Sequence, residues 1–444
     1  MKILCYARPW NVEQFKTIAA GLNENSEIKI ISEHQGVDEL GLEEGYYSLI
    51  KSKKKLSSDY VITSLDRDMI QRCRLLRSLK QEVALQHLNY MREAVFNVFE
   101  SFHPNIVISI TIDSFVIDCI YQEAQKRNIQ FIGLIPSFIN GYTRITSRGE
   151  YSDIRSVDAR EVQEVSDKLL EKNYAPGFTK QSMQSPVKST LKRWFMHFVR
   201  YSYFTIQRLK LRDRYNYHFW ASQIVSWQLM HWFPRLQLGN NRWKTSIDKN
   251  KIKIYLPLQM IPEATVDYWC DQLSHTEYES TLIAFIHHFQ NDCEFLIKEH
   301  PNVLGYRNSS IYKSLEELSN VTIVPTYENS NDVLDFSDAI CVWTGSVGFE
   351  AVLRGKPVLS FCKPYYDYDK AIAPVTINSS YREVKDFIDN YSACDRNDFV
   401  KRSLSSLVKV NFINNGTWQP DNECDVRDAS ILGSKILSIV KHDL

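Results

Sequence analysis

The 444-residue sequence carries no net charge, because 53 Lys and Arg balance 53 Asp and Glu. No global field therefore draws the protein to nucleic acid or to an anionic surface, and any basic face has to be local. The sequence also lacks an apolar run of the ~18 residues that a membrane-spanning helix needs. Even Ile106 to Ile120 is interrupted by Asp113 and Asp118. The opening apolar run, Ile3-Leu4-Cys5-Tyr6-Ala7, ends at Arg8-Pro9 and is shorter than the roughly 7–15-residue core of a secretory signal, so it reads as a first β-strand. Cysteines stand at 5, 73, 119, 270, 293, 341, 362, 394 and 424, odd in number and scattered. That spacing fits neither a disulfide framework nor a zinc ribbon, and the simplest setting for it is a reducing cytoplasm. No internal repeat with a 20–50-residue period is evident.

What is present is an ordinary folded composition, 44% hydrophobic and 24% charged. At about 150 residues per domain the length suggests two to three domains. Residues 1–156 alternate short apolar strands (Lys2–Tyr6, Glu27–Ile31, Asn105–Thr111, Gln130–Leu134) with helical segments, the pattern of parallel βαβ units. A long amphipathic helix is predicted from about Arg67 to Phe102, stopped by His103-Pro104. Residues 157–250 read as a helical insertion. Within it, Lys188–Arg214 holds eight Lys/Arg against the single acid Asp213, interleaved with Trp194, Phe195, Phe198, Tyr201, Tyr203 and Phe204. Alternation resumes over residues 251–395, with strands predicted at Ile252–Pro257, Cys293–Lys298, Val321–Val324, Ala339–Val342 and Pro357–Phe361. Residues 396–444 carry two further helical patterns that suit either domain. The fold class expected is α/β: two doubly wound Rossmann-like domains facing a cleft, with the helical insertion between them. Ligands of such sheets bind outside the carboxyl ends of the strands.

Three segments carry chemistry. In Cys341-Val342-Trp343-Thr344-Gly345-Ser346-Val347-Gly348-Phe349-Glu350-Ala351 an apolar strand runs through a small polar turn into a helix. Backbone N–H groups and the Thr344 and Ser346 hydroxyls there suit a phosphate. Gly345 permits close approach, Gly348 and Ala351 suit tight helix–sheet packing, and Glu350 is one turn in, within reach of a ribose hydroxyl. A helix cap at Ser346 with small residues chosen for packing explains the same residues. In Lys298-Glu299-His300-Pro301 a strand delivers Lys298 and His300 on one face at its carboxyl end. The alternative there is a turn histidine bonded to backbone carbonyls. In Pro257-Leu258-Gln259-Met260-Ile261-Pro262-Glu263-Ala264-Thr265 the polar groups exposed by the loop are Gln259 and Glu263. Glu263 equally suits the N-terminus of a helix.

Taken in order, P-L-Q-x-x-P-E-A-T, K-E-H-P and T-G-S-V-G-F-E-A-x-x-x-G-K-P-V resemble the C-terminal half of the capsular-polysaccharide biosynthesis glycosyltransferases, the group that includes the capsule Kdo transferases. The resemblance spans about Ile252 to Phe361 and implies a GT-B-like fold and a nucleotide-sugar donor, most simply CMP-Kdo or another CMP-linked acidic sugar. It implies that His300 and Pro301 sit at the nucleotide and phosphate, Thr344 and Ser346 at the phosphate, Glu350 near the ribose or base, and Gln259 and Glu263 along the donor pocket. The catalytic acid of such an enzyme should lie in the N-terminal half, where Asp113, after a buried strand, is the candidate and a helix cap the alternative role. Arg144 and Arg148 are candidates for an anionic acceptor, and the alternative for them is solvated surface. Asp66 and Asp68 suit a helix N-terminus and are given no catalytic role.

The basic, aromatic stretch 188–214 reads either as a membrane-surface contact for a lipid-linked acceptor or as a hairpin packed on its own domain. No metal or other cofactor is expected, since His287-His288 point apart on a helix and no D-x-D accompanies the donor motifs. The reading is a cytoplasmic glycosyltransferase, on the inner face of the membrane if the hairpin docks there, that acts on a capsule or other surface glycan. A UDP-sugar transferase, an enzyme like UDP-N-acetylglucosamine 2-epimerase and a non-catalytic capsule assembly or export protein are its rivals.

Overall fold

The computed structural model describes residues 1–53, 60–171, 174, 176, 186–210, 214–231, 239, 241–245, 247–248, 250–261, 263–300, 307–368, 371–413 and 417–442. The chain divides into two compact units, Met1–Thr179 with Val400–Leu444, and Lys180–Phe399. The helical region thus splits: the helix Ala159–Leu169 belongs to the first unit and the helices Pro186–Leu209 and Tyr217–His231 to the second. The C-terminal segment returns to the first unit.

In the first unit β1 (Lys2–Tyr6), β2 (Glu27–Ile31), β3 (Ile106–Ile110) and β4 (Gln130–Pro136) pair in parallel, and β5 (Thr143–Ile145) and β12 (Leu407–Val408) extend the edge antiparallel, in the order β12-β5-β4-β3-β1-β2. Every residue of β3, Ile-Val-Ile-Ser-Ile, is buried, as expected of a strand covered on both faces. The helix Gln81–Phe102 buries Leu85, Leu88, Met91, Val95, Val98, Phe99 and Phe102 along one stripe. It ends where His103 turns left-handed (φ 52°) and donates its N–H to the Phe99 carbonyl. The single helix expected from Arg67 is instead three, Ser64–Arg72, Arg74–Arg77 and Gln81–Phe102. Cys73 and Lys80 are extended at the breaks, while Met69, Leu75 and Leu76 keep the apolar spacing because each short helix buries its own residues.

In the second unit all six strands are parallel: β6 (Ile252–Pro257), β7 (Cys293–Lys298), β8 (Val321–Ile323), β9 (Ala339–Val342), β10 (Val358–Ser360) and β11 (Ile372–Pro374), in the order β11-β10-β9-β6-β7-β8. One face is a continuous core in which Ile254, Leu256, Phe295, Ile297, Trp343 and Phe361 meet Leu282, Phe285 and Ile286 of the helix Tyr278–His288. Both units are doubly wound α/β units, as the alternating pattern predicts. The strand order reverses between β1 and β3 in the first unit and between β6 and β9 in the second, and such switch points are where ligands of open α/β sheets bind. Among the described residues no helix is long and apolar enough to cross a membrane.

One expectation is overturned: Cys270 and Cys362, 92 residues apart, are disulfide-bonded. Sequence spacing misses the pair because the fold, not local chain geometry, brings together the residue that follows β10 and the segment just past the helix Ala264–Asp267. Cysteine spacing therefore says nothing about compartment here.

The C-terminal helix Glu423–His442 packs on the helix Val12–Leu22, and glycine sets how closely. A Cβ at Gly433 would lie 2.0 Å from the Ile18 carbonyl oxygen, and one at Gly21 2.3 Å from that of Ser430. These are backbone atoms that no side-chain rotation can move away. Gly433→Ala is expected to destabilise the first unit by about 3 kcal/mol, read as a shift of its urea-unfolding midpoint. Ser434→Ala, one residue on and exposed, should change it by less than about 0.5 kcal/mol.

Candidate functional site

The carboxyl edge of the second sheet gathers the three motif segments. Past β6, the Gln259 amide nitrogen donates to the Glu263 carboxylate at 2.7 Å and to the Thr265 hydroxyl at 3.2 Å, and the Gln259 backbone N–H donates to the Tyr278 hydroxyl. Glu263 precedes the four-residue helix Ala264–Asp267. Burial raises its carboxyl pKa, against the lowering effect of Gln259 and Thr265. Past β9, the Gly345 Cα faces Gln259 so closely that a Cβ would sit 3.0 Å from the Gln259 Oε1. The two switch-point strands β6 and β9 thus end against each other.

Aromatic packing fixes the turn after β9. Trp343 stacks on Phe361 with ring centroids 4.2 Å apart, and its indole N–H donates to the His275 carbonyl. Thr344 is buried and donates its hydroxyl to the Thr265 carbonyl, so that proton holds the neighbouring loop. The helix Ser346–Leu353 begins after Gly345, and the cap position is Gly345 rather than Ser346. Ser346 is the first helical residue, and its hydroxyl has no hydrogen-bond partner among the described residues. The N–H groups of Ser346 and Val347 stand in the first turn, where helices leave donors unpaired. Gly348 is required for packing: a Cβ there would lie 2.1 Å from the Tyr366 hydroxyl, which donates to the Gly345 carbonyl.

Past β7 the residues divide by face. Glu299 is fully buried and is the hub of the edge: Arg307 donates to its carboxylate from Nε at 2.9 Å, Tyr312 from its hydroxyl at 2.5 Å, and the His300 backbone N–H at 2.9 Å. Arg307 also donates to the Gln259 carbonyl at 2.6 Å, tying the β6 loop to the β7 end. Burial opposes the Arg307 charge and Glu299 more than restores it, so its guanidinium pKa rises. His300 is half-buried beside this hub, and Pro301 lies outside the described residues. Sequence reading passed over Arg307 because nothing in an isolated arginine eight residues after a glutamate marks a buried pair.

Lys298 and Glu350 occupy the opposite face. Lys298 is 5% exposed, and its ammonium has no hydrogen bond or ion pair among the described residues. Burial brings its pKa down to about 8, partly offset by the fields of Glu299, Glu328 and Glu350. Burial pushes Glu350 up to about 7 against the fields of Arg354 and Lys298. An unpaired buried ammonium at a strand's carboxyl end is costly without an anion, and it marks where negative charge would be welcome.

The carboxyl edge of the first sheet has its own cluster. Asp113, past β3, accepts from the Arg8 guanidinium at 2.6 Å, and Arg8 lies past β1, so the pair bridges the switch point of that sheet. Beside it the Tyr6 hydroxyl donates to the buried Glu33 carboxylate at 2.6 Å. Burial and then Glu33 hold the Tyr6 pKa well above its usual value. Ser114, not Asp113, caps the helix Phe115–Lys126, and its side chain makes no cap hydrogen bond. Arg8 was not singled out in the sequence, although its place two residues beyond a first β-strand is the signal that finds it.

Arg144 and Arg148 are otherwise engaged. Arg144 lies in β5 rather than in a loop, buried, with its guanidinium donating to Ser406. Arg148 donates at 2.5 Å to buried Asp118 and lies over the Tyr121 ring. Asp66 pairs with Arg92 and closes a capping box with Thr63. A hollow of about 670 Å³ lies elsewhere on the second unit, lined by Ile283, His287, His288, Ile311 and Ile377. It is wide open, and none of the motif residues lines it.

These features define a doubly wound α/β protein in which the carboxyl edge of the C-terminal sheet gathers the three motif segments. Residues 161–376 match the family described as capsule polysaccharide biosynthesis protein, and the resemblance drawn from the motifs is borne out over the stretch that carries them. Solved structures similar to the chain include two from Thermosulfurimonas dismutans KpsC. Its beta Kdo 2,7 transferase is 12% identical, with TM-score 0.37 and coverage of 90% of this chain and 89% of that one. Its beta Kdo 2,4 transferase is 12% identical, with TM-score 0.34 and coverage of 67% and 79%. A third is UDP-GlcNAc 2-epimerase from Neisseria meningitidis, 13% identical, with TM-score 0.29 and coverage of 91% and 99%. With every TM-score below 0.5, these likenesses carry no inference about site or substrate. No curated protein matches the sequence.

Two predictions follow from burial. Arg307→Met leaves the Glu299 carboxylate buried without its cation and should cost about 3–5 kcal/mol in urea unfolding of the second unit; adding Glu299→Leu should recover part of that loss. The second concerns pH. The folded pKa of Glu350 is raised from 4.5 to about 7, so the native state holds the extra proton and stability falls as pH rises from about 4.5 to 7. The folded pKa of Lys298 is lowered from 10.5 to about 8, so stability rises between about pH 8 and 10.5. Glu350→Gln should remove the fall and Lys298→Met the rise, both measured as unfolding midpoints across pH.

Proposed function

We propose that the protein is a glycosyltransferase of capsule polysaccharide assembly. In this reading it moves Kdo or another acidic sugar from a CMP donor onto a surface glycan or its lipid-linked start. The observation that carries it is the convergence of Gln259 and Glu263, Lys298 to His300, and Thr344 to Glu350 on one switch-point edge of a parallel sheet. The family match over 161–376 covers all three segments.

The donor phosphate would lie at the first turn of the helix Ser346–Leu353, on the Ser346 and Val347 N–H groups and the Ser346 hydroxyl, with the helix dipole favouring its charge. Gln259 and Glu263 would line the pocket. Glu350 would meet a ribose hydroxyl, and Lys298 and His300 would balance the phosphate charge as it grows. In the transfer an acceptor hydroxyl oxygen bonds to the anomeric carbon as the bond from that carbon to the phosphate oxygen breaks. CMP leaves with the electron pair. Asp113 would take the hydroxyl proton, and Arg8 would hold the carboxylate in place. The fixed donors at the helix start supply the charge stabilisation that most lowers such a barrier, and the reading requires no metal. Work on a lipid-linked acceptor would bring the protein to the inner face of the cytoplasmic membrane, with residues 188–214 as the contact.

Thermal-shift titration with CMP, UDP, GDP and ADP tests the donor, since a ligand selective for the folded state raises the melting temperature. A shift with CMP and formation of a CMP-dependent glycan product are expected. A shift with UDP alone would move the reading to a UDP-sugar transferase or an epimerase, and binding without product would favour an assembly protein. Asp113→Asn should lower the transfer rate about 10²–10⁴-fold with CMP affinity unchanged. His300→Ala should weaken CMP binding in calorimetry while leaving the fold intact.

A further inference from the structure

The helix Pro186–Leu209 is apolar on two sides. Its inner side packs on the helix Tyr217–His231. His197 is buried with Nδ1 3.0 Å from the Ser226 hydroxyl, Tyr201 meets Trp227 with ring centroids 5.3 Å apart, and Phe204 meets Phe219 at 5.6 Å. Gln223 donates to the Thr205 hydroxyl at 2.9 Å. The hairpin is therefore satisfied without its outer side.

That outer side is not polar. Leu191, Phe195, Phe198, Val199, Ile206 and Leu209 are 41–80% exposed. Leu191, Phe195, Phe198, Ile206 and Leu209 fall on one stripe at helical spacing, interrupted only by Ser202. Exposed Lys192 stands beside the stripe, and Arg200 lies at the far edge of the exposed side, beyond exposed Val199, Tyr203 and Met196. The helix contains no Asp or Glu, and neither does its partner helix. A contiguous apolar face with a cationic border is what an interfacial helix shows, with rings and aliphatic chains entering the acyl boundary while Lys and Arg meet lipid phosphates. A protein partner would typically be met by charges of both signs, and the absence of acids along both helices points to a surface that is itself anionic.

We propose that this face docks the protein on an anionic lipid bilayer, with Phe195, Phe198 and Ile206 entering the interface and Lys192 and Arg200 on the headgroups. The inference names the partner of the proposed transferase and deepens that reading, but it is tested separately, since vesicle binding needs neither donor nor acceptor.

The experiment is flotation of the full chain with vesicles of phosphatidylglycerol and phosphatidylcholine, and with phosphatidylcholine alone. The wild type is expected to float with the anionic vesicles only and to be released as salt rises. The triple variant Phe195→Ser, Phe198→Ser, Ile206→Ser, all at exposed positions, should keep the wild-type melting temperature and lose at least ten-fold in partitioning. The charge-reversal pair Lys192→Glu, Arg200→Glu should lose a similar factor and retain no salt dependence. No flotation by the wild type, or equal flotation by the triple variant, overturns the proposal. So does light scattering that finds a wild-type dimer and a monomeric triple variant, because the face would then be covered by a second copy. Vesicle binding with no sugar transfer would keep this inference and remove the enzyme.

Discussion

A carboxylate taken fully out of water has to be answered by charge and hydrogen bonds, and at the end of β7 that requirement organises the second unit. Glu299 is answered by Arg307, Tyr312 and the His300 amide. Because Arg307 also holds the Gln259 carbonyl, the β6 loop and the β7 end cannot move independently. Gln259 in turn reaches Glu263 and Thr265, and the Thr265 carbonyl accepts from Thr344 at the end of β9. One buried ion pair thereby sets the spacing of three loops that are far apart in sequence. Such a pair adds little net stability compared with an apolar substitute, so its value lies in the geometry it enforces.

The two sheet edges solve different electrostatic problems. In the second unit the first turn of the helix Ser346–Leu353 offers half-buried backbone N–H groups, and the buried Lys298 has no side-chain partner among the described residues. In the first unit Arg8 is paired with Asp113, and the Glu33 carboxylate accepts from the neutral Tyr6 hydroxyl.

The sequence made most of the strand framework legible, because β1, β2, β6, β7 and β9 are short, largely apolar segments rich in β-branched residues and set between helical patterns, and their limits match the structure. It missed β5, β11 and β12, each two or three residues long and too short for any periodicity. The motif turns were readable for the same reason that they fold: small residues are needed at Gly345 and Gly348 for close approach. Side-chain employment was not readable. Arg144 and Arg148 carry the same guanidinium as Arg8 and Arg307, and only tertiary neighbours decide which is spent on an internal carboxylate or hydroxyl. The Cys270–Cys362 pair was hidden likewise, since 92 residues separate its members.

The glycine-mediated crossing of the Val12–Leu22 and Glu423–His442 helices also has a consequence for biogenesis. The first unit is discontinuous, with residues 180–399 inserted between its two pieces. On the ribosome the second unit can complete its parallel sheet while the first still lacks β12 and its last helix, because domains form as their residues emerge. Until Phe412 and the helix Glu423–His442 appear, buried groups such as Phe15 and Ile18 lack the cover these supply. Loss of the helix Glu423–His442 should therefore unfold the first unit rather than trim a dispensable segment, so the integrity of that unit depends on residues made long after its sheet was begun.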